Sequence, residues 1–136
     1  MVTFAQKSKG DDQQKKANKL FEEGKYSEAY PLFAHLLSIN KGSPEITFKY
    51  GATMLYGSEN KSDAIPYLKK ASLNSGIDIR VQYFLGKAYQ LNYEFNKAIT
   101  AYNSFKSNAD EELAARYNVA QAIKQCNKGN VLMKQL

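Results

Sequence analysis

The strongest constraint on this chain is a short segment that recurs three times with a period of 34 to 35 residues. Each copy contains a residue of a capping type, an alanine two positions later, and a large apolar residue four positions after the alanine. Ser and Asn side chains accept hydrogen bonds from the free amides of a first helical turn, so each copy predicts the start of a helix. The three sets are Ser27, Ala29 and Phe33; Ser62, Ala64 and Leu68; and Asn96, Ala98 and Tyr102.

A small residue stands about 12 positions before each of these alanines and indicates a preceding helix in every unit. These residues are Ala17, Gly51 and Gly86. Glycine inside a helix costs about 1 kcal/mol of stability relative to alanine. Its occurrence at the same position in two repeat units therefore needs a steric reason. Close crossing of the two helices is such a reason, because a small residue facing an alanine leaves no side chain between them. Pro31 and Pro66 are tolerated only near a helix start, which agrees with these boundaries.

This pattern resembles the tetratricopeptide repeat, a helix–turn–helix unit of 34 residues. The resemblance implies an all-α fold, a right-handed superhelical array of antiparallel helix pairs, with units at about 10–43, 44–78 and 79–109. The sequence departs from the family pattern at Ala17, where glycine is usual, and in the turn at 57–61, which is one residue longer. The residues expected to pack the repeat together are Ala17, Ala29, Phe33, Gly51, Ala64, Leu68, Gly86, Ala98 and Tyr102.

A capping helix is predicted over residues 110–127. The acidic residues 110–112 suit the positive end of a helix dipole, and Gly129 is expected to end the helix. Such a helix can cover the open end of a solenoid. Residues 128–136 include three consecutive apolar residues at 131–133 and are expected to extend toward a further domain.

The resemblance also predicts a binding surface, because the first helices of successive units line the concave side of such an array. Aromatic rings supply contact area at low entropic cost, and amides or lysines can hold a peptide backbone or a carboxylate. The alternative is that the aromatic residues pack between units and that the lysines form an ordinary solvated face. The predicted partner-binding residues are Asn18, Phe21, Phe48, Ala52, Tyr83, Lys87, Gln90, Tyr117, Gln121 and Lys124.

One specialised ligand of the repeat family can be tested on the sequence. Members that bind chaperones hold a terminal carboxylate with five polar side chains, largely Lys, Asn and Arg. Asn18 and Arg80 match that set, but Gln14, Lys49 and Phe84 stand where it has Lys, Asn and Arg. A chaperone tail is therefore not expected as the ligand.

Charge and composition limit the other partners. The 19 basic and 13 acidic residues give a net charge of +6, which favours acidic partners at long range. Seventeen of the basic residues are scattered lysines, whereas proteins that bind phosphates and base edges depend on arginine. Nucleic acid is therefore not an expected partner. No run of 18 apolar residues occurs, so we expect no transmembrane segment in this chain.

The sequence lacks the motifs typical of enzymes and of structural zinc sites. The chain has one histidine, His35, and one cysteine, Cys126, which excludes an internal disulfide and a structural zinc site. It has no glycine-rich phosphate loop, no nucleophile elbow and no HExxH motif. We interpret His35 as a partly exposed helix residue and Cys126 as a small buried one. The sequence thus predicts no enzyme activity, no metal and no cofactor.

The two ends of the chain suggest a location. Residues 2–5 look like the end of a secretory signal, with Thr3 and Ala5 at the cleavage positions, and a frayed terminus is the alternative. We expect residues 1–9 to be disordered. Residues 1–6 and about 110–136 are together similar to the N-terminal repeat domain of Bacteroidetes cell-envelope proteins, in which repeats precede a β-propeller and an OmpA-like domain. That resemblance implies a periplasmic, outer-membrane-associated protein that reaches peptidoglycan only through another domain.

The sequence therefore predicts a non-catalytic protein–protein interaction module that binds a peptide or protein segment in its concave groove. In the periplasm it would be the docking part of a larger envelope protein. The alternatives are a structural spacer, a self-assembly unit with weak self-association, and a cytoplasmic adaptor of the same repeat family.

Overall fold

A computed structural model describes residues 4–136, with side chains from Gly10 onward. Within those residues the chain forms eight α-helices and one 3₁₀ helix, and contains no strand. The all-α class that the sequence predicts is therefore confirmed for the described residues. The helices are α1 (Phe4–Glu22), α2 (Tyr26–Ile39), α3 (Pro44–Gly57), the 3₁₀ helix (Lys61–Asp63), α4 (Ala64–Ser72), α5 (Arg80–Leu91), α6 (Phe95–Asn108), α7 (Glu111–Tyr117) and α8 (Val119–Lys134).

Helices that follow one another in sequence also pack together in space. Each of α1 to α5 contacts the next helix, α6 packs against α8, and α3 also contacts α5. The helix pairs α1–α2, α3–α4 and α5–α6 correspond to the three copies of the recurring segment. This order of contacts is compatible with a solenoid-like stack, in which each unit touches mainly its neighbours.

The start of α1 differs from the expectation for the N-terminus. The helix begins at Phe4, so residues 4–9 are helical where the sequence predicted a disordered tail. Residues 1–3, and with them part of the suggested signal remnant, lie outside the described residues. Of the helices in the described part of the chain, none is both long enough and apolar enough to cross a bilayer.

All nine residues expected to pack the repeat together are buried. The two glycines among them leave room for a large side chain of the following helix. A Cβ added to Gly86 would lie 2.6 Å from Cδ1 of Tyr102, and one added to Gly51 would lie 2.9 Å from Cγ of Leu68. We had expected each glycine to face the alanine of the next helix. The nearest atoms belong instead to the large apolar residue that follows that alanine. The alanine is too short to fill the crossing, so the bulky residue one turn later enters it.

The three residues predicted to cap helices do not do so. Helices α2 and α6 begin one residue before Ser27 and Asn96, and Ser62 lies inside the 3₁₀ helix. A capping residue must stand outside the first turn, so these side chains are misplaced for that role. Side-chain caps occur instead at Ser43 and Asp110, which accept hydrogen bonds from backbone amides three residues later at 3.2 and 2.8 Å.

The C-terminal segment is two helices and not the single capping helix predicted over 110–127. They meet at Asn118, whose backbone is left-handed with φ 51°, a conformation that Asn adopts more readily than most residues. Gly129 lies inside α8 and does not end it. A Cβ there would lie 2.7 Å from the ring of Phe95, so this glycine makes room for a neighbour. Residues 128–134 accordingly belong to α8, which continues past the helix end that we expected at Gly129.

Candidate partner-binding surface

Three phenylalanine rings fill the space between the first helices of the three units. Phe21 on α1, Phe48 on α3 and Phe84 on α5 form a triangle with ring centroids 5.8 to 5.9 Å apart. None is more than 1% exposed. Separations of this size are favourable for aromatic pairs, and large apolar area is removed from water. The centre of the expected groove is therefore a core.

Three of the ten predicted partner-binding residues lie in this core. Phe21, Phe48 and Ala52 are buried, so they contact neighbouring helices and present no surface to a partner. For these residues the prediction of a binding role is wrong in this structure, and the alternative of packing between units is correct. The physical reason is that the ring of Phe21 reaches Phe84 on α5, so the rings fill the space where we expected a groove.

Four tyrosines continue the aromatic layer toward solvent. The rings of Tyr26 and Tyr56 have centroids 4.7 Å apart, and those of Tyr83 and Tyr117 have the same separation. Tyr83 and Tyr117 are half-buried. Burial raises the pKa of the Tyr56 hydroxyl to about 12 and raises the pKa of Tyr26 and Tyr83 above the usual value. These three hydroxyls therefore stay protonated at neutral pH and can donate hydrogen bonds.

Arg80 connects the first and third units on the same face. Its guanidinium donates to the Asp78 carboxylate at 2.7 to 3.1 Å and to the Glu22 carboxylate at 2.8 and 3.0 Å. It also lies 5.2 Å from the ring centroid of Phe21, a cation–π distance. Because Glu22 is on α1 and Arg80 begins α5, these bonds hold the two helices together over the aromatic core.

The Arg80 guanidinium also fixes the charge of both acids. Its hydrogen bonds are the main cause of the lowered pKa of Glu22. Burial works against the charged form of Asp78, but the hydrogen bonds from Arg80 outweigh it and lower that pKa too. Both acids are carboxylates at neutral pH, so the cation of Arg80 is neutralised within the protein.

Lys49 is similarly occupied. Its Nζ donates to Oδ1 of Asn18 at 2.9 Å and to the Glu45 carboxylate at 2.8 Å, and its side chain is only 7% exposed. Asn18 and Arg80 are the two residues of the sequence that match the expected carboxylate-binding set, and Lys49 departs from it. Here each has a partner within the protein, so an incoming carboxylate would have to displace those contacts.

The C-terminal members of the predicted surface remain accessible. Gln121 and Lys124 on α8 are exposed, and Lys87 and Gln90 on α5 are half-buried. Nε2 of Gln90 donates to Oε1 of Gln125 at 3.4 Å, so α5 and α8 meet at this point, and Oε1 of Gln90 accepts from the hydroxyl of Tyr102 at 2.7 Å. Residues three and four positions apart share a helix face, so Lys87 and Gln121 lie one turn before this contact. We call Lys87, Gln90, Gln121 and Lys124 the amide–lysine surface.

The amide–lysine surface is positively charged. The sequences of α5 and α8 contain no Asp or Glu, and α8 adds Lys128. Lys87 and Lys124 form no ion pair with any side chain in the described residues. Their ammonium groups and the exposed amide of Gln121 are therefore available to carboxylate and carbonyl oxygens of another molecule, whereas the Gln90 amide already bonds to Gln125 and Tyr102.

The remaining candidates from the sequence are separate from this surface. His35 is exposed on α2, and Cys126 is buried on α8. Among the described side chains, no three groups of metal-binding type lie together. Glu22 and Asp78 were not expected as partners of Arg80. The signal was available, since Arg80 is one of only two arginines among 19 basic residues and arginine favours paired carboxylates.

Comparison with known proteins assigns the chain to no family. A scan against protein-family models matched none of them, and a search of curated proteins returned no match.

Proposed function

We propose that this chain is a non-catalytic module of the tetratricopeptide-repeat type that binds an acidic segment of another protein at the amide–lysine surface. One observation carries the proposal. Lys87 on α5 and Lys124 on α8 have no ion-pair partner within the described residues, the amide of Gln121 is exposed beside Lys124 on α8, and neither helix contains an acidic residue. Amides can bond to the backbone of an extended segment, and lysines can bond to its carboxylates.

Two features support the repeat architecture. The recurring segments have the family period, and each glycine of the pattern accommodates a large side chain of the next helix. In a right-handed superhelix of this type, α1, α3, α5 and the α7–α8 segment would line the concave side. The amide–lysine surface would then be the part of that side that the phenylalanine core leaves open.

The chemistry of the surface predicts how it binds. An exposed ion pair contributes only about 0.2–1 kcal/mol, so two lysines alone give weak attraction. The rings of Tyr83 and Tyr117, beside the same face, can add apolar contact area. We therefore expect moderate affinity that falls as the salt concentration rises.

Selection from a random peptide display library tests the proposal without knowledge of the natural partner. We expect the selected peptides to be rich in Asp and Glu, and Lys87→Gln/Lys124→Gln to weaken their binding about tenfold, or about 1.4 kcal/mol. The matched control is Lys69→Gln/Lys106→Gln, which removes two exposed lysines from α4 and α6. Equal loss in both double variants, or selected peptides without acidic residues, would contradict the proposal.

The exposed apolar residues near the end of α8 favour a second candidate function, a structural spacer or self-assembly unit. Val131 and Leu132 are each 57% exposed, and Met133 and Tyr93 line a small cleft beside them. Sedimentation at several concentrations tests this candidate. A concentration-dependent dimer that Leu132→Ser/Met133→Ser abolishes would support it, and a monomer at every concentration would oppose it.

We also propose that the module belongs to the cell envelope, where peptidoglycan would be bound by a separate domain. The support is the similarity of the sequence at residues 1–6 and about 110–136 to envelope repeat proteins. Fractionation of the source cells with an antibody against this chain tests the location. A signal in the periplasmic or outer-membrane fraction is expected, whereas a cytoplasmic signal would support the adaptor alternative.

A further inference from the structure

A second concave site lies away from the amide–lysine surface. A cleft of about 400 Å³ separates α2, α3 and α4. Its apolar wall includes Leu37, Tyr50 and Tyr67, and Lys41 and Lys70 also line it. This volume is within the range of small-molecule sites in proteins, which are mostly apolar with a few polar groups.

The aromatic wall of the cleft is held in place by its neighbours. The rings of Tyr50 and Tyr67 meet edge to face with centroids 4.9 Å apart. Tyr30 stacks against Tyr50 at 5.6 Å and is itself packed against Gly57, where an added Cβ would lie 2.7 Å from Cβ of Tyr30. Burial raises the pKa of Tyr50 to about 12, so its hydroxyl is neutral at physiological pH. A ligand would meet a preformed, uncharged aromatic surface.

The polar groups of the cleft select for an anion. No Asp or Glu lines it, and Lys41 and Lys70 form no ion pair within the described residues. The hydroxyls of Ser38 and Thr47 already donate to backbone carbonyls at 2.6 and 2.7 Å. The charged donors of the cleft are therefore the two ammonium groups. The charge of Asp63 contributes to the raised pKa of Tyr50, but Asp63 does not line the cleft.

We propose that this cleft binds a small organic acid, with its aromatic or branched apolar body against Tyr50 and Tyr67 and its carboxylate toward Lys70 and Lys41. The proposal is independent of the proposed function, because no residue of the cleft belongs to the amide–lysine surface. The volume holds a body of about a dozen heavy atoms, given that a water molecule occupies about 30 Å³ in the liquid.

Titration of the ¹⁵N-labelled protein with 3-phenylpropionate, followed by NMR, tests the proposal. We expect shifts concentrated on α2, α3 and α4, and binding of the uncharged amide analogue that is at least about tenfold weaker. Lys70→Gln should weaken binding of the acid about threefold, and Lys41→Gln/Lys70→Gln about tenfold. Lys69→Gln is the matched control, because it removes the neighbouring exposed lysine of α4, which does not line the cleft.

Three results would overturn the proposal. The first is equal binding of the acid and its amide, and the second is equal loss in Lys69→Gln and Lys70→Gln. The third is binding of a peptide that ends in phenylalanine where the free acid does not bind, which would assign the cleft to a protein terminus. Because both lysines are exposed, the variants keep the fold, and their amide spectra check this directly.

Discussion

The two halves of the chain use the same repeat positions in opposite ways. Ala52 and Lys87 occupy equivalent positions, as do Phe21 and Gln90, yet the first of each pair is buried and the second is accessible. The period therefore predicts which residues share an orientation. It does not determine whether that orientation faces the core or the solvent, which depends on the size and polarity of the side chains and on what packs over them.

The helices that pack over each half differ as well. Over the first half, Arg80 at the start of α5 reaches back to Glu22 and holds α1 close, and the rings beneath them exclude water. In the second half, α8 packs mainly against α6 and meets α5 through the pair of glutamines. The apolar half thus gives stability, and the polar half is left available for binding.

The largest expected effect is on the aromatic core. Phe84→Ala should lower the free energy of unfolding by about 3–5 kcal/mol, because it removes the ring that contacts both Phe21 and Phe48. Chemical denaturation measures the change. Gln121→Ala, on the accessible half, serves as the control and should change stability by less than about 0.5 kcal/mol. A loss below about 1 kcal/mol in Phe84→Ala would show that the groove is not a core.

A smaller effect is expected at the helix crossing of the third unit. Gly86→Ala should destabilise the protein by about 1–3 kcal/mol, because the added Cβ meets the buried ring of Tyr102. Gly10→Ala is the control, since nothing lies within 4 Å of its added Cβ and helix propensity alone should stabilise by up to about 1 kcal/mol. Thermal unfolding should show a lower melting temperature for Gly86→Ala and an equal or higher one for Gly10→Ala. A change in the same direction in both variants would contradict the steric explanation.

Arg80→Met should destabilise the protein by about 1–2 kcal/mol at neutral pH, because Asp78 loses its charged partner. Arg80 lowers the pKa of Glu22 and Asp78 in the folded state. Its contribution is therefore present above the unfolded values near pH 4 and is lost as the pH falls through the lower folded values. Denaturation from pH 7 to 2 should show the two proteins converging in acid. A constant difference would mean that the ion pairs do not cause it.

The smallest effect on stability is expected for the accessible half. Lys87→Gln/Lys124→Gln should change the free energy of unfolding by less than about 0.5 kcal/mol, since both side chains are unpaired in the described residues. Thermal unfolding at low and high salt measures it. A loss above about 1 kcal/mol would mean that these lysines support the fold, and the contrast between the halves would disappear.

Much of the fold could be predicted from the sequence, because its signals are local and repeated. The alanines and glycines at fixed phase identified the buried crossings of the helix pairs. The closure of the groove could not be predicted in this way. It depends on contacts such as Glu22 with Arg80, which are 58 residues apart, and no local pattern encodes their approach.

The C-terminal segment shows a second limit of sequence reasoning. Glycine can end a helix or make room for a neighbour, and the two roles look alike in one sequence. At Gly129 the deciding residue is Phe95, which lies on another helix. The break between α7 and α8 occurs instead at Asn118, where a left-handed backbone is tolerated.

Cys126 gives this chain a built-in reporter of local opening. It is the single cysteine, it is fully buried on α8, and burial raises the pKa of its thiol. A thiol reagent can therefore react only when α8 separates from α6. The rate of alkylation of the unmodified protein thus measures how often the last helix detaches, and a ligand that clamps α8 should slow it.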